Sequence, residues 1–183
     1  HCISSTAASS KTTRYPMDSV TKVYFSYCYP YSYTRVHRLV RAVEARIAEK
    51  QGDSNNSNYL DAGVTMLGKS IAGNNIEAIN LGTRGKPLLL IMARAHPSET
   101  VASFVMEGVV RMLMSEEVEA RFLLEQCRVL LVPMLNPDGV VHGNSRSSYA
   151  GCDLNRRWVK PMKELQPEIL AVKRYIRKLL GEC

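Results

Sequence analysis

The 183-residue chain is long enough for one domain with its own hydrophobic core and too short for two large ones. Its 24 Lys and Arg outnumber its 17 Asp and Glu, and the resulting formal charge of +7 favours acidic partners. The basic residues are dispersed at helical spacing, without aromatic interleaving or an RNA-binding motif, so we expect no nucleic-acid partner. The apolar run at residues 87–95 is far shorter than the roughly 20 residues of a membrane span, so we expect no membrane partner.

The five cysteines are odd in number and form no Cys-x-x-Cys pair. Reduced thiols in a cytosolic protein fit this pattern best. We therefore expect a cytoplasmic location.

The first third of the chain contains an aperiodic segment, a predicted strand and a predicted helix. Residues 1–19 are rich in Ser and Thr, which predicts a flexible tail or the end of an upstream domain. Residues 20–29 are β-branched and aromatic and predict a strand that Pro30 ends. After Thr34, which suits an N-cap, apolar residues recur at helical spacing to about Lys50. The members of this stripe are Val36, Leu39, Val40, Val43 and Ile47.

The remaining elements alternate between strands and helices. Three strand-like runs follow in chain order, at residues 76–81, 87–94 and 127–135. The last two lack polar alternation, which is typical of a central strand covered on both faces. Helical patterns cover residues 99–114 and 116–126, and Pro167 begins a last helix that Gly181 ends. This order predicts an α/β fold with a mixed, largely parallel sheet and helices on both faces.

Two polar segments follow the predicted central strands, where α/β sheets bind their ligands. His96 and Glu99 come directly after the run at residues 87–94, and an imidazole with a carboxylate suits Zn²⁺. Alone, this pair is weak evidence, because the dipole of a following helix also favours a carboxylate at Glu99.

The second polar segment follows the run at residues 127–135. Residues 136–139, Asn-Pro-Asp-Gly, predict a turn. Arg146, Asp153, Asn155 and Arg156 come next, and guanidiniums suit oxyanions and carboxylates. A metal that polarises a carbonyl, beside Arg donors for an oxyanion and a terminal carboxylate, suits hydrolysis of the last peptide bond of a chain.

Four segments together resemble one family of enzymes. The sequences HPSET (96–100), NPDGVVHGNSR (136–146) and GCDLNRRW (151–158) resemble the zinc metallocarboxypeptidases of the M14 class. The sequence FSYCYPYSYT (25–34) resembles the cytosolic carboxypeptidase branch, the deglutamylases of tubulin and other proteins. The resemblance implies that residues 20–183 are the N-terminal half of a zinc carboxypeptidase-like α/β/α catalytic domain. It also implies a Zn²⁺ cofactor and acidic C-terminal peptides or polyglutamylated tails, tubulin among them, as partners.

The resemblance assigns a role to each residue of the motifs. His96 and Glu99 match the first two zinc ligands, and Asp153 matches the carboxylate that orients the first His. Arg146 matches the arginine that stabilises the tetrahedral oxyanion. Asn155 and Arg156 match the pair that holds the C-terminal carboxylate of the substrate.

The resemblance also implies parts that this sequence lacks. The third zinc ligand is a His on a later strand, the general-base Glu lies further on, and His1, His37 and His142 match neither position. We therefore expect a truncated chain, a fragment of a larger enzyme that is inactive alone. The alternative is a non-catalytic binding module that retains half of the carboxypeptidase fold.

Overall fold

The computed structural model describes residues 25–51, 59 and 61–181. Its elements in chain order are α1 (Tyr33–Gln51), β1 (Gly63–Lys69), β2 (Asn75–Gly82), β3 (Leu88–Met92), α2 (Thr100–Leu113), α3 (Val118–Gln126), β4 (Arg128–Val132), α4 (Pro137–His142) and α5 (Pro167–Leu180). A 3₁₀ turn covers Leu154–Arg156. The predicted helices α1, α2, α3 and α5 and the predicted strands β2, β3 and β4 are confirmed, with small shifts of their ends.

The four strands form one sheet in the order β1-β2-β4-β3. The pairs β1–β2 and β2–β4 are antiparallel, whereas β3 and β4 are parallel, with Leu88 opposite Arg128 and Met92 opposite Val132. Helices α2 and α3 connect β3 to β4, as a parallel pair requires. The prediction of a mixed α/β fold is confirmed, but among the described residues only the pairing of β3 with β4 is parallel, so this part of the sheet is not largely parallel.

Helices cover both faces of the sheet, because side chains of β2 and β4 alternate between two cores. On one face, Ile79, Leu81, Val129 and Leu131 pack with α1, α2 and α3. On the other face, Ile76, Ala78, Leu130 and Val132 pack with Ile169 and Val172 of α5. The two central strands, β2 and β4, are therefore buried from both sides. For β4, the uninterrupted apolar sequence predicts this burial.

Three predictions of local structure need correction. Residues 25–29 form no strand, since no neighbouring strand pairs with them, and residues 20–24 lie outside the described part of the chain. Strand β3 lies at the edge of the described sheet rather than in its centre, and Leu89 and Met92 are 38% and 36% exposed. Residues 136–139 begin a helix instead of a turn, because Asn136 caps α4 and Pro137 suits its first position.

Strand β1 was not predicted from the sequence, although Val64, Thr65 and Met66 are typical strand residues. The predicted tail at residues 1–19 lies outside the described residues. No helix in the described part of the chain has the length and apolar character needed to cross a membrane.

Candidate metal centre

The loop that follows β3 and the loop that follows α4 lie side by side at one edge of the sheet. We call residues 93–99 the ligand loop and residues 143–158 the arginine loop. The ladder of β3 and β4 extends into the ligand loop, since the Ala93 amide donates to the Val132 carbonyl (3.0 Å) and the Leu135 amide donates to the Ala93 carbonyl (2.9 Å). The Ser98 amide donates to the Ser145 carbonyl at 3.0 Å, which ties the two loops together.

His96 lies between two carboxylates, one from each loop. Its Nδ1 is 2.9 Å from Glu99 Oε1, and its Nε2 is 3.0 Å from Asp153 Oδ1. The imidazole is nearly buried, with 10% of its side chain exposed, whereas the Glu99 side chain is 57% exposed. The three side chains therefore form a row in which Asp153 holds the inner nitrogen and Glu99 faces the outer one.

This row fits a bound cation at its outer end. A neutral imidazole that donates Nε2–H to Asp153 presents an unprotonated Nδ1 to a carboxylate oxygen, and two acceptors then face each other at 2.9 Å. A divalent cation bound by both atoms would replace that repulsion with two favourable bonds. Imidazole nitrogen and carboxylate oxygen are both common ligands of Zn²⁺.

Asp153 is the centre of the hydrogen-bond network around the candidate site. Its Oδ1 also accepts from the Asn155 amide (2.9 Å), and its Oδ2 accepts from Arg146 Nε (2.9 Å) and pairs with Arg146 Nη2 (2.8 Å). Burial by itself raises the pKa of the Asp153 carboxyl, but the bonds from His96, the Asn155 amide and Arg146 outweigh burial and hold the pKa below its ordinary value. Asp153 therefore stays ionised and can accept a hydrogen bond from His96 Nε2.

The predicted catalytic residue, Arg146, and the two residues predicted to bind substrate are exposed beside this network. Arg146 is 57% exposed, and its Nη1 makes no hydrogen bond to any residue in the described ranges. Asn155 and Arg156 follow Asp153 on the 3₁₀ turn and point their exposed side chains away from the core. The Asn155 side-chain oxygen accepts a 3.4 Å bond from Trp158 Nε1, and the Trp158 ring packs against the α5 face of the core.

Three residues that support the ligand loop were not recognised as functional from the sequence. Asn136 accepts from the Gly139 amide through its side-chain oxygen and donates to the Ala95 carbonyl at 3.2 Å. Gly139 lies so close to the loop that an added Cβ would be 2.4 Å from Pro97 Cγ. Arg94 is buried and bonds to the Pro97 carbonyl. The Asn-Pro pair and a lone Arg at the end of an apolar run are the sequence patterns that could have identified them.

In the part of the chain that the structure describes, no group of three or more His, Cys, Asp or Glu residues is placed to bind one metal ion. Asp153 does not join His96 and Glu99 in such a group because it lies on the opposite side of the imidazole. His37 pairs with Glu77 at 3.0 Å, and the ring of His142 packs against Tyr149. Neither histidine is near enough to Glu99 to bond with it.

Comparison with known proteins shows to which family the chain belongs. A family model described as zinc carboxypeptidase matches residues 53–168. The chain belongs to the zinc carboxypeptidase family. The resemblance inferred from the motifs is thereby confirmed, and zinc is the metal that membership of the zinc carboxypeptidase family implies.

Individual relatives agree with the family assignment. Human cytosolic carboxypeptidase 1 is 33% identical over 169 residues, which cover 85% of this chain and 13% of that protein. Mouse cytosolic carboxypeptidase 6 is 35% identical over 163 residues, which cover 86% of this chain and 28% of that protein. A metallo-carboxypeptidase from Burkholderia cenocepacia has the same fold, with a TM-score of 0.68 at 34% identity over 81% of this chain and 38% of that chain. The chain thus spans only 13% to 38% of the length of these relatives.

Proposed function

We propose that the protein containing this chain is a zinc-dependent carboxypeptidase that removes C-terminal residues from peptides. The observation that carries the proposal is the row Asp153–His96–Glu99, with His96 Nδ1 and Glu99 Oε1 facing each other at 2.9 Å beside an exposed guanidinium. In this proposal, residues 20–183 are the N-terminal half of the catalytic domain and supply two of its three zinc ligands. The third ligand and the general base come from outside this sequence.

Each residue of the candidate site has a part in the proposed reaction. When bound, Zn²⁺ acts as a Lewis acid on the scissile carbonyl and activates water as the nucleophile. His96 and Glu99 would hold the ion, and Asp153 fixes the His96 tautomer that leaves Nδ1 available. Arg146 would donate from its exposed guanidinium to the oxyanion that develops on the scissile carbonyl.

The selectivity for the last residue of a peptide is assigned to the 3₁₀ turn. Asn155 and Arg156 are exposed on it, and an amide with a guanidinium can bind both oxygens of a free carboxylate. A peptide whose C-terminus is amidated lacks that negative charge. The assignment therefore predicts a strong preference for free C-termini.

We further propose that the substrates are glutamate-rich C-terminal tails, such as those of polyglutamylated tubulin, in the cytoplasm. The support is the resemblance of residues 25–34 to the cytosolic branch, the names of the relatives, and the formal charge of +7, which attracts acidic chains.

The test uses the full-length protein and peptides that end in several glutamates, several lysines or an amidated glutamate. Release of free glutamate from the first peptide alone, abolished by a chelator and by His96→Ala, is the expected result. Release of lysine with equal efficiency would contradict the acidic substrate and leave the carboxypeptidase assignment intact. Binding of the peptide without release of any residue by the zinc-loaded protein would favour the binding module instead.

A further inference from the structure

The Arg94 guanidinium is a buried cation in the ligand loop. Its residue is 3% exposed, and no carboxylate in the described ranges forms an ion pair with it. Removing a charge from water without an ionic partner is costly unless every donor finds an acceptor. The contacts that offset this cost indicate what the residue does.

Oxygen atoms from three separate parts of the chain surround the guanidinium. Nε and Nη2 both donate to the Pro97 carbonyl, at 3.0 and 2.5 Å. Nη1 donates to the Tyr31 carbonyl at 2.9 Å and contacts Ser103 Oγ on α2 at 3.0 Å. One side chain thus connects the segment before α1, the ligand loop and the helix that follows it.

The Pro97 carbonyl lies between the two candidate zinc ligands in the sequence. The other carbonyls of this loop are bound by backbone or amide groups: Leu135 binds the Ala93 carbonyl, Asn136 binds those of Arg94 and Ala95, and Glu99 binds that of His96. Arg94 alone supplies the donors for Pro97 among the described residues. Without Arg94, the Pro97–Ser98 peptide would keep the bond from its amide to the Ser145 carbonyl but lose both donors to its own carbonyl.

The backbone at Arg94 is strained in a way that makes this contact possible. Its φ of 58° lies in the left-handed region, which is unfavourable for a residue with a Cβ. With this backbone conformation, the Arg94 side chain reaches the carbonyl of Pro97, three residues later in the sequence. The strain is offset by the same hydrogen bonds that fix the loop.

We infer that Arg94 is a positioning residue that holds His96 and Glu99 in their metal-binding arrangement before the metal is bound. The inference rests on the proposed function, because it takes these two residues as zinc ligands. Arg94 itself binds neither metal nor substrate. It acts through the Pro97 carbonyl.

The test measures zinc affinity in the full-length protein by competition with a chelator. Arg94→Lys keeps the positive charge, but one ammonium group cannot donate two bonds to the Pro97 carbonyl and also reach the Tyr31 carbonyl. The zinc dissociation constant should therefore rise about tenfold or more, as for other residues that orient ligands. Ser103→Ala removes only the contact to α2 and should change zinc affinity by less than about twofold. A folded Arg94→Lys variant that binds zinc as tightly as the unchanged protein would overturn the inference.

A second measurement needs no variant. In the metal-free, unchanged protein, the amides of Ser98 and Glu99 should exchange slowly with solvent, since the loop is already fixed. Exchange at the rate of an unstructured loop would overturn the inference even if every Arg94 variant failed to fold. Peptide cleavage is assayed separately, so normal zinc binding without cleavage would contradict the proposed function and not the role of Arg94.

Discussion

The ligand loop and the arginine loop lie at the same edge of the sheet, yet they differ in the burial of their side chains. In the ligand loop, Ala93, Arg94 and His96 are buried, and most carbonyls have a fixed partner. In the arginine loop, Arg146, Asn155 and Arg156 are exposed, whereas Asp153 is bonded to the buried His96. A metal site needs ligands whose geometry is set in advance, whereas groups that meet a substrate must remain accessible.

Substitution of Arg146 in the arginine loop should have the largest effect on catalysis. If the proposed function holds, Arg146→Ala should lower the turnover rate of the full-length protein by about 10² to 10³, because an oxyanion donor is lost, with a much smaller change in substrate binding. The measurement is steady-state kinetics on a glutamate-ending peptide, with Arg174→Ala on the exposed side of α5 as the control. A loss confined to substrate binding would remove Arg146 from the chemical step.

The second prediction concerns Glu168 in the first turn of α5. Glu168 is fully buried, and neither carboxyl oxygen bonds to another residue in the described part of the chain. Burial, with a smaller contribution from Asp138, raises the pKa of Glu168 from 4.5 to about 7. The folded protein therefore holds this proton more tightly than the unfolded chain, and its stability falls as the pH rises from about 4.5 to 7 and levels off above that.

Glu168→Gln removes this titration. The unchanged protein should lose up to about 3 kcal/mol in the free energy of unfolding through this titration between pH 4 and pH 8, and the variant should not. Urea unfolding at both pH values measures the difference. Turnover should change little, since Glu168 is not one of the candidate site residues, and an identical pH dependence of stability in both proteins would show that folding does not raise the pKa of Glu168.

A third substitution tests the carboxylate-binding role of the arginine loop. Arg156→Ala should reduce the preference for free over amidated C-termini by roughly 10- to 100-fold, the value of one hydrogen bond to a charged group. Arg157→Ala, the adjacent exposed guanidinium, is the matched control and should leave the preference unchanged. Equal kinetics of the Arg156 variant and the unchanged enzyme on both peptides would rule out this assignment.

The smallest effect is expected for a pair of glycines. In Gly139→Ala, the new Cβ would be 2.4 Å from Pro97 Cγ and 2.8 Å from Asn136 Oδ1, so the ligand loop must shift, at a cost of about 1 to 3 kcal/mol in stability. Gly108→Ala in α2 meets no atom within 4 Å and should stabilise the protein by up to about 1 kcal/mol. Thermal unfolding compares them, and a neutral Gly139→Ala would mean that the ligand loop is not held rigidly.

The predictions from sequence succeeded where the apolar pattern depends on burial by neighbouring helices. The stripe of Val36, Val40, Val43 and Ile47 is buried as expected, and the helix that Pro167 begins ends at Gly181 in a left-handed cap. They failed where pairing partners decide the outcome. Residues 25–29 have strand propensity but no partner strand, and β1 has a partner that its modest sequence pattern did not reveal.

For the candidate site, the sequence by itself determined the residue types, an imidazole, carboxylates and guanidiniums, and the family, through motifs that resemble those of the zinc carboxypeptidases. Only the tertiary structure decided which nitrogen of His96 meets Asp153 and which meets Glu99, and that Arg94, Asn136 and Gly139 hold the ligand loop. The physical reason is distance along the chain. Asp153 follows His96 by 57 residues, and its bond forms only because β3 and β4 end at the same edge of the sheet.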